Sequence, residues 1–327
     1  MNIQYVVSYI KRCNKLLKDI SSNEDVTLVS LWIDSIWSFF RYGCTIRQYS
    51  DGKFYRYSSF ERRQIVTTRK YFKLVRKTND PAYVKYLEDK EKFNEKFSKF
   101  VYRKWLTSST MTLENFIMLC HSKTGIIVKP LGGMEGAGIY KIEASELSSP
   151  ESIRQLYQKL KGDNVIIEEI IRQHPSMIFN NKSVNTIRTI SIMDKTTHEV
   201  NLFKAVLRAG VGDTVVDNYH QGGCCYEVDV NSGRVCSKGI SAKGGDNIIF
   251  HPGTDTCMLG YQIPYWSEVV SGCIEAHKLL PQCRYISWDV AITEKGMELI
   301  EGNHNGDYDM IEFVGSNKYW PLLKKYL

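Results

Sequence analysis

The segment Ile126-Ile127-Val128-Lys129-Pro130-Leu131-Gly132-Gly133-Met134-Glu135-Gly136-Ala137-Gly138-Ile139-Tyr140-Lys141 carries the most chemistry per residue in this chain. An apolar strand reaches Lys129, opens into a loop with four glycines in the seven positions 132–138, and a second strand begins at Ile139. Glycines let backbone N–H groups turn toward an anion without a Cβ in the way, and the lysine adds a fixed positive charge. The pattern is that of a hairpin flap over phosphate. It is no P-loop, because G-x-x-x-x-G-K-[ST] is absent, and no dinucleotide fingerprint, because strand and not helix follows the glycines. A hairpin that holds no ligand is the plain alternative.

A second group of residues suits a metal. Trp288-Asp289-Val290-Ala291-Ile292 reads as a strand, a short turn spans 293–296, and Met297–Ile300 reads as its partner, followed by Glu301-Gly302-Asn303. Across antiparallel strands, Asp289 and Glu301 can project on one side, and Asn303, two residues on, shares that face. Two carboxylates and an amide oxygen are hard ligands, suited to Mg²⁺ that also grips phosphate. The alternative is a sheet-end aspartate beside a capped turn. Between the two groups, Val165-Ile166-Ile167-Glu168-Glu169-Ile170-Ile171 runs from a strand into paired glutamates and an apolar pair. Such a segment can give an adenine ring its apolar walls and a ribose its carboxylate.

These groups need a scaffold, and the rest of the chain describes one. From about residue 111, glycines and short β-branched runs recur: 125–128, 165–167, 186–192, 201–207, 226–230, 288–292 and 297–300. Helical stretches fall at 151–160 and 267–280. The fold class expected is α+β. Before residue 110 the texture is helical. Apolar residues at Ile3, Val6, Val7, Ile10, Leu16, Leu17 and Ile20 carry helical periodicity, with Lys11, Arg12, Lys15 and Lys18 on much of the other face. That helix either docks on the body of the protein or lies on an anionic membrane surface. Ile33, Ile36, Trp37 and Phe40 follow helical spacing as well, and a basic stretch runs from Arg62 and Arg63 through Arg69, Lys70, Lys73, Arg76 and Lys77.

Composition bounds the answer. The chain has 327 residues, 43% hydrophobic and 24% charged, as ordinary globular proteins do. Residues 1–110 hold 22 basic and 11 acidic residues, and the remainder 21 and 25, so a net +7 splits into +11 and −4. That split argues against a uniformly basic nucleic-acid coat. No apolar run reaches a membrane span, since Leu28–Phe40 is interrupted by Asp34. Nor does the N-terminus read as a signal peptide. Nine cysteines without a C-x-x-C pair, and seven scattered histidines, argue against zinc sites and disulfide frameworks and for reduced thiols in the cytoplasm. Cys224 and Cys225 follow two glycines, but no motif pairs them with a histidine, and they read as small buried strand residues.

Lysine with glycine hairpin, strand with paired glutamates, then Asp289 with Glu301-x-Asn303: in this order, the elements resemble the ATP-grasp superfamily. The chain is most similar to the sugar-transfer-associated ATP-grasp proteins of bacterial polysaccharide gene clusters. Val128–Gly133, Asn185–Arg188, Phe203–Arg208 and Asp217–Gly223 carry that likeness, as do Ser35-Ile36-Trp37 and Arg41-Tyr42-Gly43. The resemblance implies an ATP-grasp fold behind a helix-rich, basic region at 1–110, with a small lobe at 111–171 and a large lobe at 172–327.

It also implies roles. Lys129 would hold the α/β-phosphates, and the loop with Gly132, Gly133, Gly136 and Gly138 would close over the β/γ-phosphates. Glu168 and the backbone of Glu169, Ile170 and Ile171 would meet adenine, with Glu169, Gln173 or His174 at the ribose. Lys96 or Lys92 would be a second phosphate lysine. Asp289, Glu301 and Asn303 would hold one or two Mg²⁺, and Arg188 would lie near the transferring phosphoryl group. Lys204, Arg208, Asn218 and His220 are candidates for the acceptor pocket.

The activity implied is an ATP-dependent carboxylate–amine ligase acting through an acyl phosphate on a sugar acid or sugar-linked acceptor of a capsule, exopolysaccharide or O-antigen. A phosphotransferase with a hydroxyl acceptor, and a nucleotide-binding subunit without turnover, are the rivals. The helical N-terminus departs from the βαβ domain of many superfamily members. Its basic charge makes it a candidate for meeting an anionic sugar nucleotide or lipid-linked acceptor at the inner membrane face. No nucleic-acid partner is expected.

Overall fold

The computed structural model describes residues 3–122, 124–132, 138–179, 183–212, 222–241, 245–306, 309–315 and 318–327. They form two compact units, Met1–Thr78 with Asn305–Leu327 and Asn79–His304.

The first unit is helical, as the periodicity predicts: α1 (Ile3–Asn23), α2 (Leu28–Tyr42), α3 (Ile46–Asp51), α4 (Ser59–Gln64) and α5 (Thr68–Thr78). Its core gathers Leu17 and Ile20 of α1, Leu31 and Tyr42 of α2, Tyr49, Phe54 and Ile65. The helix ends are chemically marked. Thr27 caps α2 by accepting the Ser30 N–H, and Ser58 and Glu61 form a reciprocal capping box on α4. At the end of α2, Gly43 takes φ +74° and donates its N–H to Phe39 O; a Cβ there would stand 2.3 Å from Arg69 Cβ. Arg62, first of the basic stretch, is buried. Its guanidinium donates to both oxygens of Asp34 at 2.6 and 2.8 Å and lies over the Phe54 ring, while Tyr49 Oη donates to Asp34 at 2.7 Å. Glu312 Oε1 accepts the Val66 N–H at 2.7 Å, and Gly306 O accepts from Tyr71 Oη at 2.6 Å, which fastens the 305–327 segment to this unit.

The second unit opens with α6 (Lys85–Glu88) and α7 (Lys90–Lys96), then β1 (Trp105–Thr107), α8 (Leu113–Cys120), β2 (Ile126–Pro130), β3 (Tyr140–Ile142), α9 (Pro150–Leu160) and β4 (Val165–Glu169). There follow β5 (Thr186–Met193), β6 (Val200–Ala209), β7 (Cys224–Val228), β8 (Gly239–Ser241), β9 (Gly245–Ile248), α10 (Trp266–Lys278), β10 (Tyr285–Thr293) and β11 (Gly296–Asn303). Each of the seven β-branched runs overlaps a strand. The three- and four-residue strands β1, β8 and β9 are too short to announce themselves in sequence.

Two antiparallel sheets result. The smaller has the order β1-β4-β2-β3, and α8 and α9 cover it with Phe116, Leu119, Ile153 and Leu160. The larger runs β11-β10-β5-β6-β7-β8-β9. Because side chains alternate along a strand, each of its strands has two characters. One face brings Ile187, Ala205, Leu207, Tyr226, Ile286, Trp288 and Val290 against Val269, Cys273 and Ala276 of α10. Trp288, wholly buried, donates its indole N–H to Ser191 Oγ at 3.0 Å. Ser191 Oγ lies 2.7 Å from His277 Nδ1, and His277 Nε2 lies 3.0 Å from Cys283 O. The opposite face is charged. Among the described residues, no helix is long and apolar enough to cross a membrane.

Candidate active site

The charged face is a row laid across four neighbouring strands. Asp289 of β10 stands opposite Glu301 of β11 on one side and Arg188 of β5 on the other. Arg188 faces Val206, and Arg208 lies two residues further along β6, so it projects beside Arg188. The row therefore reads Glu301, Asp289, Arg188, Arg208. Arg188 donates Nε and Nη2 to the two Asp289 oxygens, both at 2.7 Å, and Arg208 Nη1 donates to Oδ2 at 3.0 Å. A bidentate guanidinium fixes both partners in plane as well as in distance. Arg188 and Asp289 are both buried.

A regular hairpin would not make this row. Counting back from the Thr293–Gly296 turn, unbroken pairing would set Ile300 opposite Asp289 and turn Glu301 into the core. The register slips between Asp289 and Val290, so that Leu299 faces Val290 and Glu301 faces Asp289, with Ile300 as the extra residue of a bulge. The bulge brings Glu298 and Glu301, three apart, to the same face. Gly302 completes the arrangement: it lies opposite Trp288, and a Cβ there would come within 2.8 Å of Leu87 Cδ2.

The electrostatics differ sharply along the row. Burial raises the Asp289 carboxyl, but the Arg188 and Arg208 guanidiniums outweigh it and hold the group well below the usual carboxylate range. Glu301 is shifted the other way. Although 48% of its side chain is open, loss of water around its carboxyl and the neighbouring Asp289 charge raise it, with Arg188 at 4.0 Å opposing. Asn303 Nδ2 donates to Glu301 Oε1 at 3.2 Å.

The smaller sheet supplies a second cluster. Glu168 on β4 faces Ile127, and Lys129, two residues along β2, reaches it diagonally to form an ion pair. Glu168 Oε1 also accepts from Arg103 Nε and Asn94 Nδ2, each at 2.9 Å. Burial raises Glu168, and Arg103 and Lys129 outweigh that and hold it well below the carboxylate range. Arg103 is the residue that sequence reasoning missed. Its Nη1 donates to Glu298 Oε1 at 2.9 Å and Leu299 O at 2.7 Å, and its Nη2 to Asn94 Oδ1 at 3.3 Å and Ile300 O at 3.2 Å. With Nε on Glu168, all five guanidinium N–H groups are engaged. One buried side chain thus ties β4 of the smaller sheet to the bulge of β11 in the larger.

The lysine of α7 near this cluster is Lys90. It is half-buried, and burial lowers its ammonium, with Lys129 acting in the same direction and Glu301 and Glu168 opposing. Lys92 instead pairs with Asp89 at 2.5 Å, and Lys96 lies 5.8 Å over the Tyr86 ring. Glu169 is tied at the strand end, where its carboxylate accepts the Lys104 N–H and its own N–H donates to Lys104 O, both at 2.9 Å. The Ile170 N–H donates to Gly125 O, and Ile171 is half-buried. Gln173 is buried and bonded to Asn185. His174 Nδ1 accepts the Ser176 N–H and caps the short turn Pro175–Met177. Lys204 is fully buried in a 2.7 Å pair with Glu227 on the charged face. Gly132 and Gly138 flank the glycine loop, the latter at φ +75°. Gly133, Gly136, Asn218 and His220 lie outside the described residues. Cys224 and Cys225 are buried strand residues, and burial raises the Cys224 thiol, which suits packing and not nucleophilic attack.

Among the described residues, no group of three His, Cys, Asp or Glu side chains is placed to hold a metal. The oxygen set here is two carboxylates and an amide. Its chemistry fits a hard dication: Asp289 and Glu301 stand opposite each other and repel, and a cation beside them relieves that.

Two antiparallel sheets, one with a lysine and a glycine hairpin and the other with a charged face of carboxylates and arginines, define an ATP-grasp fold. The chain belongs to the sugar-transfer associated ATP-grasp family, whose model matches residues 69–325. No curated protein matches the sequence. Among solved structures, it is similar to the ATP-grasp ligase PsnB complexed with minimal precursor, Mg and ADP. The identity is 16% and the TM-score 0.46, over 76% of this chain and 60% of that one. It is also similar to the purK N5-carboxyaminoimidazole ribonucleotide synthetase in its ADP complex, at 9% identity and a TM-score of 0.42, over 71% of this chain and 53% of that one. A third is the L-amino acid ligase from Bacillus licheniformis, at 10% identity and a TM-score of 0.40, over 69% and 42%. The chain thus spans less than two thirds of the length of each.

Proposed function

We propose that this protein is an ATP-dependent ligase that joins a carboxylate to an amine through an acyl phosphate. The observation that carries the reading is the continuous run of charge from Lys129 and Lys90 to Glu301, Asp289, Arg188 and Arg208, built by strands of both sheets and the first turn of α7. Cations for phosphate oxygens and carboxylates for a metal stand side by side, as phosphoryl transfer requires.

In this reading Lys129 and Lys90 face the nucleotide phosphates, and Glu168 acts by holding Lys129 in place. The strand end at Glu169–Ile171 meets adenine, with His174 toward the ribose, and the glycine loop covers the β/γ-phosphates. Asp289, Glu301 and Asn303 hold Mg²⁺, which neutralises phosphoryl oxygens when bound. An oxygen of the substrate carboxylate attacks the γ-phosphorus, the bond to the β-phosphate oxygen breaks, and ADP leaves. The amine nitrogen then attacks the acyl carbon, the carbon–oxygen bond breaks, inorganic phosphate leaves, and the amine proton passes to solvent. Arg188, fixed by Asp289, stabilises the charge that develops on the acyl phosphate and its tetrahedral successor. Arg208 borders the acceptor.

The family's association with sugar transfer supports a sugar acid or sugar-linked acceptor in polysaccharide assembly. The test is mass spectrometry after incubation with MgATP and a panel of sugar acids and amino acids. An amide mass gain with matching ADP and phosphate is expected. A stable phosphorylated product, or no nucleotide turnover with any pair, overturns the proposal.

A further inference from the structure

Helix α2 of the first unit is turned inside out. Leu31, Ser35, Ser38 and Tyr42 form its covered side, whereas Val29, Ile33, Ile36, Trp37 and Phe40 are each between 51% and 71% exposed. These five recur at i, i+4, i+7, i+8 and i+11, a stripe about 16 Å long at the α-helical rise. Serines inward and a tryptophan, a phenylalanine and two isoleucines outward reverse the ordinary amphipathic order. Contiguous apolar surface of this kind marks a place of contact.

Charge identifies what fits it. The one carboxylate of α2, Asp34, is held by Arg62 and Tyr49. Where the stripe ends, Arg69 Nη2 donates to Phe40 O at 3.1 Å, so the apolar stripe of α2 leads directly into α5. Arg69, Phe72, Lys73 and Arg76, at i, i+3, i+4 and i+7, make the open face of α5, and Arg41 is exposed in the last turn of α2. Residues 62–79 contain seven basic residues and no acidic one. The exposed N-terminal half of α1 adds Tyr5, Val7, Tyr9 and Ile10 beside Lys11 and Arg12.

Apolar and aromatic side chains bordered by cations match an interface where hydrocarbon lies beneath anionic headgroups. A second copy of this face would set the α5 cations against one another. We propose that the first unit docks on an anionic lipid bilayer, the α2 stripe entering the headgroup boundary and the α5 cations meeting lipid phosphates. This rests on the first unit alone and is independent of the reaction proposed above.

The experiment is co-sedimentation of the full chain with phosphatidylcholine vesicles and with an equal mixture of phosphatidylcholine and phosphatidylglycerol. Pelleting with the mixed vesicles, little with the neutral ones, and release by salt are expected, since exposed charges are screened beyond about 8 Å at physiological ionic strength. Ile33→Asp with Trp37→Asp, and separately Arg69→Glu with Lys73→Glu and Arg76→Glu, should each weaken binding roughly tenfold or more. Their circular dichroism and melting temperature should match wild type; if either set misfolds, Ile33→Ser with Trp37→Ser takes its place. Wild-type protein left in the supernatant with mixed vesicles at low salt overturns the proposal. So does undiminished pelleting of correctly folded variants. Self-association in analytical ultracentrifugation that Ile33→Asp abolishes and vesicles fail to compete with would assign the stripe to a second copy and likewise overturn it.

Discussion

Arg188 and Asp289 stand opposite each other on neighbouring strands, and the guanidinium holds both carboxylate oxygens at 2.7 Å in a buried setting. Arg208 makes a further bond to the same carboxylate. Asp289→Asn would leave both guanidiniums short of their counter-charge. Removing one partner of a buried pair costs about 3–5 kcal/mol. Urea unfolding should show a loss of that order, together with loss of ATP turnover.

Glu301 behaves differently although it sits next in the row. Its carboxyl is raised, so the folded protein keeps that proton to higher pH than the unfolded chain, and ionisation above that point works against folding. Glu301→Gln removes this repulsion with Asp289. The variant should melt at the same temperature as wild type or slightly above while losing MgATP-dependent ADP release. Turnover that survives would place the metal elsewhere.

Lys90 should be separable from Lys92 and Lys96 by kinetics. A charge-assisted hydrogen bond to phosphate contributes about 1.5–3 kcal/mol, so Lys90→Ala should raise the KM for ATP roughly tenfold or more. Lys92→Ala removes a half-exposed pair with Asp89, and Lys96→Ala a ring contact. Neither should change KM by more than about twofold, on the small worth of exposed pairs. Equal effects from all three lysines would deny Lys90 its place.

The stability of the second unit should depend on pH through His277. Burial pushes this imidazole down to about 4. Between the unfolded value of about 6.5 and that point, the unfolded chain binds a proton that the folded chain does not, so stability falls as pH falls. The loss across the whole window is on the order of 3 kcal/mol, and roughly 2 kcal/mol of it falls between pH 7 and pH 5. Urea midpoints at pH 7 and pH 5 measure it, and His277→Gln should flatten the difference. An unchanged slope in that variant would move the effect to another group.

Local signals account for what was legible in the sequence. Lys129 ends an apolar strand before glycines, Asp289 and Glu301 flank a hairpin turn, and the longer strands show β-branched runs, because each feature is written within a dozen residues. Arg103 is not. Its partners lie 65 and 195 residues away, and the stretch Val-Tyr-Arg-Lys-Trp has no pattern that foretells burial. The bulge at Ile300 was equally hidden, since nothing in Leu-Ile-Glu says that pairing will slip there. The periodicity of α2 was visible, but periodicity gives a helix with two unlike faces and leaves open which one meets water.

Asn79, the first residue of its own unit, binds the last. Its Nδ2 donates to Tyr285 O at 2.8 Å and His304 O at 3.2 Å, and its Oδ1 accepts the Tyr285 N–H at 2.9 Å. The first and last residues of Asn79–His304 therefore meet, and a segment whose termini lie together can be spliced into a host chain without threading. The helical unit is the host: Val66 and Tyr71 wait for Glu312 and Gly306. On the ribosome, chains emerge from the N-terminus and fold unit by unit. The sheet-bearing insert can thus be finished and released while the helices that precede it are still missing their last partners, so the part synthesised first is the part completed last.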